Sequence, residues 1–155
     1  MAARNGNSSL SVLSHADGIA AGTADVWLLI GRILLGLIFV RSGYPKILDI
    51  AAVANTFPPR GLPAFLAYIS APFEFFGGLA LIFGFATRYV VLGFVIFMLV
   101  ATFSSHRYWE FADAAAHRAQ DGNFYKNMAM LGGFLFLFVC GAGRLSVDNW
   151  LHGRK

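Results

Sequence analysis

The segment LPAFLAYISAPFEFFGGLALIFGF, residues 62–85, decides the class of this protein. A helix needs about 20 apolar residues to cross the hydrocarbon core of a membrane, and this segment reaches that length. Its one charged side chain is Glu74, and Gly77 and Gly78 follow it within one helical turn. An ionisable side chain at the centre of a membrane span costs about 2.5–3.5 kcal/mol, so Glu74 needs either a partner or a purpose.

Three more segments of the same kind occur along the chain, at residues 26–48, 88–106 and 124–143. The 155 residues are 57% hydrophobic and 13% charged, which leaves too few charges to cover a soluble domain of this size. The apolar runs are too long and continuous for barrel strands, and a helix satisfies its own backbone hydrogen bonds in lipid. The sequence therefore predicts an all-α membrane protein, a four-helix transmembrane bundle surrounded by the lipid bilayer.

The connections between the four segments predict how the helices are arranged. Only the residues FATR, 85–88, join the second and third spans, so these helices must be antiparallel neighbours. Between the third and fourth spans, EFADAAAHRAQDG at residues 110–122 predicts a short surface helix. Residues 1–24 are predicted to be a polar, mobile tail, residues 25–150 the membrane domain, and residues 151–155 a basic C-terminal end.

The net charge of +4 does not indicate nucleic-acid binding. Lys and Arg are scattered between the apolar runs and form no basic stripe. Basic residues that flank membrane spans explain this distribution. Four spans place both termini on one side of the membrane, and we expect that side to be the cytoplasm.

The charged and small residues of the first span fall on a single helical face. Arg32, Gly36, Phe39 and Gly43 are spaced four, three and four residues apart, and Lys46 follows three residues later. Glycines on a membrane helix let a neighbouring helix approach closely. This face should therefore point into the bundle.

The second span carries a matching face. Glu74, Gly77, Gly78 and Leu81 lie on one side of the predicted helix. The simplest partner for the Glu74 carboxylate is a cation of the first span, since an opposite charge offsets the cost of burial. The candidates are Lys46, Arg32 and the less well aligned Arg41.

Further polar residues lie near the ends of the last two spans. His106 ends the third span, and Lys126 and Asn127 begin the fourth. In an up-and-down bundle these ends share a membrane face with the end of the first span that carries Lys46. We therefore expect a polar cluster that opens toward this face and consists of Glu74, Lys46, His106, Lys126 and Asn127. Arg32 should lie deeper, nearer the opposite side.

Two interpretations of these polar residues stay open. Buried ion pairs often serve only to orient the helices of a bundle, which would make Glu74 and its cation structural. Six polar groups nevertheless exceed what packing requires, which favours a site with chemistry.

The sequence also argues against several cofactors. Its one cysteine is Cys140, whereas dithiol chemistry within a chain needs two, so Cys140 is expected to be a small buried apolar side chain. A membrane haem usually needs a pair of axial ligands, but His106 is the only histidine within a predicted span. No Cys/His spacing resembles a metal site. We therefore expect no metal and no intrinsic cofactor.

Five short motifs follow one another across the four spans. The first is R-x-x-L-G-x-x-F-x-x-S-G-x-x-K at Arg32–Lys46, and the second is E-x-x-G-G-x-A-L-x-x-G-x-x-T-R at Glu74–Arg88. The others are A-x-x-x-x-H at Ala101–His106, K-N-x-A-x-L-G-G at Lys126–Gly133 and G-x-G-R-x-S-x-D at Gly141–Asp148. With these motifs in this order, nearly the whole chain beyond its N-terminal tail resembles the DoxX family of small bacterial inner-membrane proteins.

The resemblance implies a four-helix bundle in the bacterial inner membrane, with redox-enzyme subunits as partners. The family is named for a subunit associated with a terminal quinol oxidase. Related members are linked to thiosulfate:quinone oxidoreduction and to a membrane complex that handles oxidative and thiol stress. The chain is therefore expected to be a subunit or accessory of a quinone-linked oxidoreductase system rather than a complete enzyme.

In that role the polar cluster would bind a quinone headgroup or a small anion. The residues expected to act are Glu74 and His106 as proton carriers, and Arg32, Lys46, Lys126 and Asn127 as ligand-binding groups. Two other functions stay open. One is a non-enzymatic membrane scaffold or assembly factor. The other is a carrier of small solutes or lipids, which would need an oligomer because four spans are few for a transport path.

Overall fold

The computed structural model of the chain describes residues 6–153, and side-chain environments from residue 15 onward. Within this part all regular secondary structure is helical. The α-helices are α1 (Gly6–Leu48), α2 (Ile50–Asn55), α3 (Ala67–Phe83), α4 (Thr87–Ser105), α5 (Ala114–Cys140) and α6 (Val147–His152). Short 3-10 turns cover Pro58–Arg60, Ala64–Leu66 and Tyr108–Glu110.

Four helical segments, which contain α1, α3, α4 and α5, are long and apolar enough to cross a membrane. The second of them, Ala64–Phe83, includes the 3-10 turn before α3. Consecutive spans are antiparallel, so their connections lie alternately at two ends of the bundle. We call the end with the α1–α3 and α4–α5 connections the loop face. The end with the α3–α4 turn and residues 141–153 is the terminal face. The predicted all-α, four-helix membrane bundle is confirmed.

The turn between α3 and α4 is held by the last motif of the chain. Gly84 ends α3 in the left-handed conformation, at φ 68°. The Asp148 carboxylate then accepts hydrogen bonds from Ala86 N at 2.7 Å and Thr87 N at 2.9 Å, where α4 begins. The C-terminal segment is thereby bound to the terminal face of the bundle.

The first helix is longer than predicted. A polar, mobile tail was expected over residues 1–24, whereas α1 already begins at Gly6, and residues 1–5 lie outside the described part. The first proline of the chain is Pro45, so nothing interrupts a helix that extends at little cost from the membrane span. The side chains of residues 15–24 are exposed. The mobility of this segment stays a prediction.

The surface helix predicted between the third and fourth spans is present as the first turns of α5. The Asp113 carboxylate caps this helix by accepting hydrogen bonds from Ala115 N and Ala116 N, at 3.1 and 2.8 Å. No proline interrupts α5, so the surface turns continue directly into the span. The expectation of a separate element is corrected to one continuous helix of 27 residues. Cys140, which was expected to be buried, is exposed at the end of this helix, where the packed interior no longer covers it.

Helices α1 and α3 make the most extensive contact in the bundle, and glycines set the distance between them. A Cβ at Gly36 would lie 2.6 Å from the Gly78 carbonyl oxygen, and a Cβ at Gly43 would lie 2.6 Å from Phe75 N. Real Cβ atoms do not come this close, so only glycine fits. The two predicted inward faces are confirmed, since Arg32, Gly36, Phe39, Gly43, Glu74, Gly77, Gly78 and Leu81 are all buried.

A layer of aromatic rings crosses the interior between the two faces. The Phe39 ring of α1 lies 4.3 Å from the Phe94 ring of α4 and 5.7 Å from the Phe134 ring of α5, measured between centroids. The Phe94 and Phe134 rings stack at 5.2 Å, and both side chains are fully buried. This phenylalanine layer separates the buried polar groups near the loop face from those near the terminal face.

Candidate functional site

Glu74 projects from the buried face of α3 toward α1, on the loop-face side of the phenylalanine layer. Lys46 Nζ donates hydrogen bonds to both carboxylate oxygens, at 2.6 Å to Oε1 and 2.7 Å to Oε2. The Glu74 side chain is 5% exposed and the Lys46 side chain 36% exposed, so the carboxylate is the deeper group of the pair. Gly43, one helical turn before Lys46, permits the close helix contact that brings the two groups together.

The pair borders a cavity of about 160 Å³, which we call the Glu74 pocket. Its polar lining consists of Ser42, Lys46, Glu74, His106, Lys126 and Asn127. Its apolar lining consists of Ile38, Phe39, Phe97, Met98, Ala101 and Met130. The fold therefore brings all five residues of the predicted polar cluster to one cavity, on the side of the bundle where they were expected.

Asn127 is the most deeply buried polar group on the α5 side of the pocket. It is 6% exposed, and its Nδ2 donates a hydrogen bond of 3.0 Å to Thr102 Oγ1 on α4. Thr102 itself is 0% exposed. A neutral hydrogen bond between two helices satisfies both groups without a charge, so Asn127 has a fixed position in the wall.

His106 and Lys126 lie where the pocket approaches the loop face. His106 Nδ1 is 2.8 Å from Gln120 Oε1, and Lys126 Nζ donates to Asn123 Oδ1 at 2.9 Å. An amide oxygen only accepts hydrogen bonds, so in this arrangement Nδ1 carries a proton. The other ring nitrogen, Nε2, is then the one that can gain or lose a proton.

Three neutral residues extend the site beyond the residues predicted from the sequence. Ser42 lines the pocket, Thr102 holds Asn127, and Gln120 holds His106. The missed signal was helical spacing, because Ser42 and Thr102 each precede a predicted site residue by four positions. Burying a hydroxyl or amide group in a span costs far less free energy than burying a charge. These neutral residues therefore do not stand out in the sequence as the charged ones do.

Arg32 was expected to lie deeper than this cluster, nearer the opposite side, and to act as a ligand-binding group. The structure places it at that depth and apart from the cluster. Its fully buried guanidinium lies on the terminal-face side of the phenylalanine layer and donates to Leu81 O at 3.4 Å and Ile82 O at 3.3 Å. It also donates to Leu145 O in the segment after α5. Arg32 thereby connects α1, the end of α3 and the C-terminal segment. Arg41, the third candidate partner of Glu74, is exposed, so the pair belongs to Lys46.

These features define a class of protein: a four-span helical membrane protein with a polar pocket between its helices, built on a glutamate–lysine pair. A sequence model of the DoxX family matches residues 27–107, which include Lys46, Glu74 and His106. The chain belongs to the DoxX family. A model of the SURF4 family matches residues 75–152, so the two matches overlap over the second half of α3 and all of α4.

Named relatives are similar over most of the chain. The inner membrane protein YqjF of Escherichia coli (strain K12) is 35% identical over 128 residues, which are 83% of this chain and 94% of YqjF. The inner membrane protein YphA of the same strain is 31% identical over 142 residues, or 90% of this chain and 99% of YphA. "Putative oxidoreductase CatD" of Bacillus subtilis (strain 168) is 34% identical over 77 residues, or 50% of this chain and 58% of CatD. No solved structure matches the chain.

Proposed function

We propose that this chain is a multi-pass inner-membrane subunit or accessory of a quinone-linked oxidoreductase system, with cytoplasmic termini. In this proposal the Glu74 pocket receives the quinone headgroup. The observation that carries the proposal is the buried carboxylate of Glu74, whose side chain is 5% exposed and which shares a cavity with the imidazole ring of His106. The names of YqjF and YphA support the inner membrane, and the name of CatD supports redox chemistry.

The residues of the pocket suit a quinone headgroup. A cavity of about 150 Å³ lined by apolar groups accepts a benzene ring, and the Glu74 pocket has a comparable volume of about 160 Å³. Phe39 and Phe97 offer aromatic faces, while Lys46 and Asn127 offer hydrogen-bond donors. Quinone carbonyl oxygens are hydrogen-bond acceptors, so the donors would fix the position of the ring.

The chemistry divides between the chain and its partners. A bound quinone supplies a two-electron couple, taking up two electrons and two protons when it becomes the quinol. The electrons would come from a redox-active partner subunit. Lys46 and Glu74 hold one proton between them, and the pair would release it toward a headgroup oxygen as negative charge builds there. His106 would then restore the proton to the pair, the pair would pass on the second of the two protons, and His106 would restore the pair again.

The experiment is a substitution that keeps the shape of the carboxylate but removes its charge and its proton. In protein purified gently with its partner subunits, Glu74→Gln should lower the quinone-linked rate on the order of 100-fold, as expected for loss of a proton carrier. The matched control is Glu110→Gln, since Glu110 forms an exposed pair with Arg107 outside the pocket. An unchanged rate and unchanged binding of a short-chain ubiquinone in Glu74→Gln would remove Glu74 from the chemistry.

One observation favours a second function, that of a membrane scaffold or assembly factor. The Lys46–Glu74 pair lies within the most extensive helix contact of the bundle, where it can orient α1 against α3. In that case Glu74→Gln lowers the melting temperature and the amount of protein in the membrane. Ubiquinone binding would then fall only as far as the amount of folded protein falls.

A further inference from the structure

We infer that Glu74 exchanges protons with one side of the membrane only, the loop face, through an opening bordered by His106 and Lys126. The inference deepens the proposed function and rests on it for the chemical importance of the Glu74 proton. Three features carry it: a closed end of the Glu74 pocket, an open end, and a polar contact at the opening.

The pocket is closed by the phenylalanine layer. Phe39 forms part of its wall, and Phe94 and Phe134 behind it are 0% exposed. The Phe94 ring also fills the space beside Gly77, where a Cβ would lie 3.1 Å from two of the ring carbons. Gly77 is about one helical turn beyond Glu74, so the closure begins next to the carboxylate. Close-packed rings leave no room for a row of water molecules toward the terminal face.

On the loop-face side the pocket lies between α1 and α5. Nearer the phenylalanine layer these two helices pack against each other. A Cβ added to Gly133 of α5 would lie 3.5 Å from the Leu35 side chain of α1. About two turns closer to the loop face, Ser42 of α1 and Lys126 of α5 both line the cavity instead. Lys126 is exposed and the Lys46 side chain is 36% exposed, so the polar wall of the pocket reaches the surface at this end.

His106 borders this opening at the end of α4, and Gln120 of α5 lies against its ring. His106 directly follows α4 and lines the pocket, whereas Gln120 holds its ring without being part of the pocket lining. Gln120 is therefore a positioning residue. It keeps the proton on Nδ1 of His106, which leaves Nε2 to exchange protons. With cytoplasmic termini, this exchange takes place at the periplasmic side.

The first test measures from which side water-soluble reagents reach the pocket. Single cysteines are placed in a Cys140→Ser background: Ser42→Cys in the pocket, Arg60→Cys at the loop face and Asp17→Cys on the N-terminal part of α1. A membrane-impermeant maleimide is applied to vesicles of both orientations. Ser42→Cys should react in the orientation in which Arg60→Cys reacts, and at least tenfold more slowly in the orientation in which Asp17→Cys reacts.

Labelling of Ser42→Cys from the side of Asp17→Cys, or at equal rates from both sides, would overturn the inference. Failure to label from either side would also overturn it, because it would mean that the pocket is closed to water. Ala101→Cys lines the same cavity from α4 and serves as the second probe if Ser42→Cys does not fold.

The role of Gln120 is tested through the ¹⁵N spectrum of the His106 ring. His106 should show the tautomer protonated at Nδ1, and Gln120→Ala should shift it toward the tautomer protonated at Nε2. Gln120→Glu, which keeps an acceptor oxygen, should retain the original tautomer. An identical ring spectrum in all three proteins would show that Gln120 does not position the ring.

These outcomes are distinguishable from those of the proposed function. The labelling needs no quinone, so one-sided access together with an unchanged quinone-linked rate in Glu74→Gln would refute the proposed function alone. Two-sided access together with a strongly reduced rate in Glu74→Gln would refute the inference alone.

Discussion

Lys46 Nζ and Glu74 Oε1 lie 2.6 Å apart across the contact between α1 and α3. The contact joins the end of the first sequence motif, Arg32–Lys46, to the start of the second, Glu74–Arg88. It also places a carboxylate at the wall of a cavity within the membrane domain. Because the glycine contact at Gly43 sets the helix distance next to the pair, packing and polar chemistry are coupled at this point.

Replacing Lys46 with methionine should destabilise the protein by about 3 kcal/mol, because Glu74 would become a buried carboxylate without a counter-ion. The double substitution Lys46→Met with Glu74→Leu should recover most of this loss, since an apolar pair carries no charge to desolvate. The measurement is thermal unfolding in detergent, with the exposed Lys126→Met as the control. Equal losses in the single and double variants would show that the two side chains are not coupled.

Gly43→Ala should separate α1 from α3 and cost about 1–3 kcal/mol, because the new Cβ would lie 2.6 Å from Phe75 N. The control is Gly31→Ala in the same helix, where a Cβ would meet nothing within 4 Å. That change should leave stability the same or slightly higher. Melting temperatures of both variants check the prediction, and similar temperatures would contradict it.

Asn127→Ala should cost about 1–3 kcal/mol, because it leaves the buried hydroxyl of Thr102 without the hydrogen bond from Asn127 Nδ2. Replacing both groups with apolar ones, as Asn127→Leu with Thr102→Val, should cost clearly less. The exposed Asn55→Ala is the control. If unfolding measurements show that the double variant is less stable than Asn127→Ala, this account of the Asn127–Thr102 pair is contradicted.

Arg32→Lys should lower the melting temperature, because one ammonium group cannot reproduce the guanidinium contacts to Leu81 O and Leu145 O. Arg41→Lys, the same change at an exposed position of α1, should have little effect. Since Arg32 lies beyond the phenylalanine layer, maleimide labelling of Ser42→Cys should keep its side and rate in the folded Arg32→Lys protein. A changed rate would indicate that the two polar regions communicate.

The helical faces were predictable because glycine and charge recur at the period of an α-helix. Gly36, Gly43 and Gly78 mark where two helices approach closely, so the inward faces followed from spacing alone. The helical face alone did not decide between Lys46 and Arg32 as the partner of Glu74, since both lie on it, although the position along the helix grouped Lys46 with Glu74. Which cation meets Glu74 depends on how far α1 is shifted along α3. The glycine contacts set this shift, and only the packed structure shows them.

The ends of the helices were less predictable than their faces. Residues 6–24 and 114–123 are polar, which suggested a tail and a separate surface helix. Polar residues without proline continue a helix that is already formed, because each added residue gains a hydrogen bond without a new nucleation step. The contact that positions His106 depends on this extension, since Gln120 belongs to the added turns of α5.

The central claim is that the proton shared by Lys46 and Glu74 moves when a quinone in the pocket is reduced. The most direct measurement is the infrared difference spectrum of the purified protein with bound short-chain ubiquinone, recorded on electrochemical reduction. The account predicts a carboxyl band that is lost in Glu74→Gln and retained in Glu110→Gln. Identical difference spectra of the wild-type and Glu74→Gln proteins, with ubiquinone bound in both, would contradict it.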